Sequence, residues 1–172
     1  MSIVICKVEP DKIILAGDSR ITKGNYISPF LSFRKVTKIG DIGVGNVGLC
    51  SEATMLFTYV EQHRPSSSPG LLQRWMAGFL QWRDELSPKT GSTEKDSYSD
   101  SAWFLVLDGK AFIVDNMFIE QIEVGGFHAL GEGSEFAMGA LMHGATTEEA
   151  VTIACSLSAS CGLPIIRYEF PV

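Results

Sequence analysis

The residue best placed to do chemistry is the second one. Ser2 follows Met1, and a residue that small normally permits removal of the initiator methionine. Ser2 would then carry a hydroxyl and a free α-amine together. An α-amine titrates at about 7.7–8.0, so it can accept a proton near neutral pH without a histidine. A hydroxyl that attacks a carbonyl while its own amine takes the proton performs acyl transfer through a covalent intermediate. Such a nucleophile needs a cation to hold the amine's pKa down, a carboxylate to hold that cation, and N–H donors for the oxyanion.

Other catalytic devices are scarce. The chain has no G-x-S-x-G, no P-loop, no H-E-x-x-H and no Cys/His cluster. His63, His128 and His143 read as helix-end or surface residues rather than ligands. Cys6, Cys50, Cys155 and Cys161 form no C-x-x-C and lie among apolar or small residues, so buried free thiols are expected. Neither a metal nor a cofactor is implied.

The elements that must position Ser2 follow from patterning. With 172 residues, 45% hydrophobic and 20% charged, the chain suits one globular domain spanning 1–172. A net charge of −6 disfavours nucleic acid and anionic membrane as partners. No apolar run approaches the ~18 residues of a membrane span, and the first residues lack a signal peptide's features. The expected location is cytoplasmic.

Residues 3–8 and 12–16 predict a hairpin around Glu9-Pro10-Asp11, and 34–39 with 42–47 a second around Gly40-Asp41. Residues 21–33 read as a loop or irregular strand. A helix is predicted over 52–63 with Ser51 as N-cap, and another over 71–86, with a polar loop over 87–100. Strands are predicted at 102–107 and 111–115 around Asp108-Gly109, then at 118–124 and 127–131. Two further helices cover 135–143, capped by Ser134, and 146–160, opened by a Thr146/Glu149 capping box. A strand over 164–170 follows. Antiparallel hairpins with paired helices indicate an α+β layered fold.

Several stretches resemble the proteasome β-subunit and HslV peptidase family of N-terminal-nucleophile hydrolases. They are "SIVICKVEPDKIILAGDSRITKGN" from Ser2, "RKVTKIG" over 34–40, "VGNVGLCSEA" over 44–53, "ALGEGSEFAMGALMHGATTEEAV" over 129–151 and "CGLPI" over 161–165. They occur in order and cover essentially the whole chain. The resemblance implies a four-layer αββα sandwich of two antiparallel sheets flanked by helices, the Ntn-hydrolase fold. It also implies roles. Ser2 is the nucleophile, in the place of the family's usual Thr, and Asp18 lies sixteen residues beyond it, at the family spacing. Lys35 is the lysine that tunes the amine; it aligns with one extra residue in the preceding loop, and Arg34 is the ungapped candidate. Gly48 supplies the oxyanion N–H. Ser19, Arg20, Ile21 and Gly48 line the substrate. The sequence departs from the family pattern at Glu132, where a Ser is usual, and at Ser158, where an Asp is frequent.

The function so implied is that of a threonine-type endopeptidase subunit, here with Ser, in a self-compartmentalising ring of identical subunits. It acts on polypeptides, with a AAA+ ATPase unfoldase as the partner the resemblance admits. The alternative is a catalytically silent, ring-forming structural subunit. Such subunits carry an extension before the first strand, which here is expected to begin at residue 3. A non-peptidase amidohydrolase is a third reading, and the absence of Cys at position 2 counts against it.

Overall fold

The computed structural model describes residues 2–23, 26–86, 101–115 and 117–172. The predicted 87–100 loop lies outside the described residues. The chain opens with β1 (Val4–Val8), β2 (Lys12–Gly17), β3 (Arg20–Lys23), β4 (Tyr26–Ser32), β5 (Val36–Ile39) and β6 (Ile42–Val47). Helices α1 (Cys50–Gln62) and α2 (Pro69–Leu86) follow. Next come β7 (Ala102–Leu107), β8 (Lys110–Asp115), β9 (Phe118–Ile122) and β10 (Phe127–Leu130). Helices α3 (Ser134–Met142) and α4 (Thr147–Leu157) then lead to β11 (Ile166–Pro171).

One sheet runs β10-β1-β2-β11 and the other β5-β6-β7-β8-β9, antiparallel throughout. Side-chain alternation sorts the chain into layers. From β1, Val4, Cys6 and Val8 face the space between the sheets, where they meet Leu15, Val36, Phe104 and Phe170. Ile3 and Ile5 face the other way, onto Ala137 and Leu141 of α3 and Ala150, Val151 and Ala154 of α4. Because both faces are buried over residues 3–6, that stretch is a continuous apolar run rather than an alternation, and only Lys7 of β1 reaches partly to the surface. On the far side, Val44, Trp103, Leu105 and Phe112 of the second sheet pack against Leu56 and Tyr59 of α1 and Met76 and Phe79 of α2. The result is the α-β-β-α sandwich.

Several local expectations change. Arg20–Lys23 and Tyr26–Ser32 form a two-stranded sheet, β3 with β4, whose register shifts between Arg20 and Thr22. That irregularity, with Pro29 inside β4, explains why no alternation marked it. Helix α1 starts at Cys50, so Ser51 is helical, and Leu49 occupies the N-cap without a side-chain bond. Likewise Gly133, not Ser134, is the N-cap of α3. The Thr146/Glu149 capping box of α4 is present in full. Three side chains also fall elsewhere than expected. Cys50 is exposed, Cys155 is only partly buried, and His128 lies within β10 with its ring edge-on to Phe104.

Candidate active site

The site is organised around Asp18, which directly follows the last residue of β2 and is fully buried. Each of its carboxylate oxygens accepts two hydrogen bonds. Oδ1 takes the Ile3 N–H at 3.0 Å and Lys35 Nζ at 2.7 Å. Oδ2 takes the Arg20 N–H at 3.1 Å and the Gly162 N–H at 2.9 Å. The Asp18 N–H donates in return to the Ile3 carbonyl at 3.1 Å. One carboxylate therefore ties together β1, the start of β3, the approach to β5 and the segment between α4 and β11.

Lys35 precedes β5, and its carbonyl accepts the Asn46 N–H from β6 at 2.7 Å, which extends the ladder by one residue. Val36 beside it is anchored between the sheets. Strand alternation then separates the two basic candidates: Lys35 is buried on Asp18, and Arg34 is exposed.

Ser2 is 3% exposed. Its carbonyl accepts the Gly133 N–H at 3.2 Å. Gly131 lies against the same peptide: it has φ +100°, and a Cβ there would come within 2.8 Å of the Ser2 carbonyl carbon and overlap its oxygen. Only glycine fits such a contact at such a dihedral. The cradle formed by Gly131 and Gly133 was not singled out from the sequence, although the two glycines one residue apart were its signal.

Gly48 follows β6 at φ +109°, and a Cβ there would stand 2.6 Å from Ser101 Cα. The Ser101 hydroxyl accepts the Leu49 N–H at 3.1 Å. Among the described residues no acceptor takes the Gly48 N–H.

The remaining predicted contacts are occupied within the protein. Ser19 is buried, and its hydroxyl donates to the Pro164 carbonyl. Its N–H donates to the Gly162 carbonyl, and its own carbonyl accepts from Phe33. The Arg20 guanidinium donates to the Ala159 carbonyl at 2.9 Å and lies over Gly162. Ile21, in β3, is partly exposed. The side chains of Ser19 and Arg20 thus brace the 159–164 segment. Ser158 closes α4, and its hydroxyl accepts the Ser160 N–H at 3.3 Å. Glu132 is exposed, between the two cradle glycines.

Burial pushes the Cys161 thiol up, and the nearby Asp18 carboxylate adds to the effect. Cys155 is pushed up to about 11, again chiefly by burial. Both therefore stay protonated, and neither competes as a nucleophile. No group of His, Cys, Asp and Glu among the described residues has a metal-binding arrangement.

Comparison with solved structures bears on this geometry. BPH of Thiobacillus denitrificans superposes with a TM-score of 0.81 at 16% identity, covering 98% of this chain and 97% of that one. The fold is the HslV type. Eukaryotic HslV from Trypanosoma brucei superposes with a TM-score of 0.70 at 18% identity, covering 99% of both chains. Anbu, an ancestral β-subunit from Yersinia bercovieri, gives 0.69 at 13% identity, covering 98% of this chain and 81% of that one. No protein-family model and no curated protein sequence matches the chain. The HslV-type fold places β1 at the centre of its sheet, between β10 and β2, and so fixes the peptide that carries Ser2.

Proposed function

We propose that this chain is an endopeptidase subunit whose nucleophile is the Ser2 hydroxyl, exposed together with the α-amine when Met1 is removed. The observation that carries the reading is the shared carboxylate oxygen of Asp18. The N–H of the residue after Ser2 and the ammonium of Lys35 both donate to it, at 3.0 and 2.7 Å. A cation is thereby held beside the first strand, where it opposes protonation of the α-amine.

In the proposed reaction the Ser2 oxygen attacks the scissile carbonyl carbon while the α-amine takes the hydroxyl proton, directly or through a water. The Gly48 N–H donates to the developing oxyanion. Collapse breaks the C–N bond, the leaving amine takes the proton, and an ester to Ser2 remains. Water, deprotonated by the same amine, hydrolyses that ester. Ser19 and Arg20 shape the substrate region by bracing the 159–164 segment rather than through free side chains.

The subunit is proposed to work in a homo-oligomeric ring on unfolded polypeptides delivered by a AAA+ ATPase unfoldase. Exposed Phe136 and Met142 of α3 and Ile153 and Leu157 of α4 offer apolar area for subunit contact. A solved relative by fold, BPH of Thiobacillus denitrificans, has been captured in complex with epoxomicin, which makes that compound the natural probe.

The test measures hydrolysis of fluorogenic peptides by the native chain and by Ser2→Ala, with intact mass recorded before and after epoxomicin. A mass lacking Met1, turnover abolished by the substitution and an adduct found only on the native chain are expected. Unchanged turnover in Ser2→Ala refutes the mechanism. A silent ring-forming subunit is the second reading, favoured by an exposed Glu at position 132, between the two glycines that touch the Ser2 peptide. Retained Met1 and no turnover would establish it.

A further inference from the structure

The pairing of β6 with β7 runs as far as Val47 and Ala102. One step beyond it, Gly48 stands against Ser101: a Cβ on Gly48 would come within 2.6 Å of Ser101 Cα and overlap the Ser101 hydroxyl. There a side chain takes over from the backbone. The Ser101 hydroxyl oxygen accepts the Leu49 N–H at 3.1 Å. Ser101 is 1% exposed, so bulk water has no access to replace it as the acceptor.

Leu49 is the N-cap of α1 and has no polar side chain with which to cap it. In a capping box the N–H of the N-cap residue is taken by a Glu at the third helical position, which in α1 is Glu52. Glu52 instead meets Arg83 of α2 at 3.2 Å, with 13% and 11% of the two side chains exposed. The Leu49 N–H is therefore held by a neutral hydroxyl from outside the helix. The difference matters one residue upstream. A carboxylate on Leu49 would set a full negative charge beside the Gly48 N–H and oppose an anionic oxygen there. A hydroxyl fixes the same planar Gly48–Leu49 peptide without that charge. The φ of +109° at Gly48 then relates that plane to the Gly48 N–H.

We infer that Ser101 is a positioning residue for the oxyanion donor: its hydroxyl anchors the Leu49 N–H and so aims the Gly48 N–H at the scissile carbonyl oxygen without adding negative charge. The inference rests on the reading of Gly48 as that donor. Ser101 acts through the 48–49 peptide rather than on substrate. Loss of the anchor leaves Ser2, Lys35 and Asp18 in place and loosens only the donor, so it weakens the transition state more than substrate binding.

The test compares the full native chain with Ser101→Ala and Ser101→Cys, each with Ser2 made the first residue by cleavage of an N-terminal fusion. Hydrogen exchange of the Leu49 amide, followed by NMR, reads the anchor without requiring turnover. Fluorogenic peptide hydrolysis reads its consequence. Ser101→Ala is expected to speed Leu49 exchange by roughly tenfold. It should lower kcat by roughly tenfold or more, with KM held within about twofold. Ser101→Cys fills the same space but accepts weakly, so both readings should fall between the other two. If Ser101→Ala fails to fold, Ser101→Cys carries the same comparison. Equal Leu49 exchange in the native chain and the variants overturns the inference. So does faster exchange with unchanged kcat in an active enzyme. A change confined to KM overturns it too, by making Ser101 a substrate contact. A native chain that hydrolyses no peptide while Leu49 exchange still responds refutes the peptidase reading, and with it the oxyanion role, and leaves Ser101 as the cap of α1.

Discussion

Lys35 and Asp18 form an ion pair of 2.7 Å with 5% and 0% of their side chains exposed. Neither partner can be rehydrated without opening the sandwich. The pair is tolerated because three backbone N–H groups complete the carboxylate's shell. A buried pair of this kind is weak evidence for stability; the geometry is specified by the four donors to Asp18.

Asp18→Asn should therefore be costly, because it strands a buried ammonium. A loss of about 3–5 kcal/mol is expected in urea denaturation, with peptide hydrolysis at background. Adding Lys35→Met to that variant should recover much of the stability without restoring hydrolysis. Recovery of both would remove the pair from the mechanism.

Gly131→Ala should cost about 1–3 kcal/mol through a φ of +100° and a clash with the Ser2 peptide. Hydrolysis should fall with it, because the backbone of the proposed nucleophile must shift. Gly139→Ala is the control. Gly139 is exposed within α3 with open space around a Cβ, so the change should stabilise by roughly 0.5–1 kcal/mol and leave hydrolysis alone. Thermal unfolding and peptide assays distinguish the two sites.

His128 predicts an acid sensitivity of the fold. It stands opposite Cys6 in the β1–β10 register, half-buried against Phe104. Burial holds its pKa below the ordinary value, against the opposing pull of Glu120. As pH falls, the unfolded chain takes the proton first, near about 6.5, so stability drops below that point and rises with pH through the same window. His128→Leu should flatten this part of the urea-midpoint profile, and an unchanged slope would contradict the assignment.

The hairpins were legible because turn chemistry is local: Asp108-Gly109 joins β7 and β8, and Glu9-Pro10-Asp11 joins β1 and β2. The β3–β4 pair was not, because its register slips. The meeting of Asp18 and Lys35 could be expected from spacing and resemblance together. The contribution of Gly162 to Asp18 could not, since 144 residues separate them and only packing of α4 on the first sheet brings them together. Arg20 illustrates the same limit. Its position suggested a substrate contact, whereas its guanidinium is engaged with Ala159.

Asp18 accepts from residues 3, 20, 35 and 162, two donors to each oxygen. During synthesis Ser2, Asp18 and Lys35 leave the ribosome long before Gly162. A nascent chain thus holds Ser2, Asp18 and Lys35 while the Asp18 carboxylate still lacks its fourth donor. The fourth donor arrives only when the segment after α4 docks beneath Arg20. The full hydrogen-bond shell of Asp18 thus reports completion of the fold, and a chain arrested before residue 162 lacks one of its four donors.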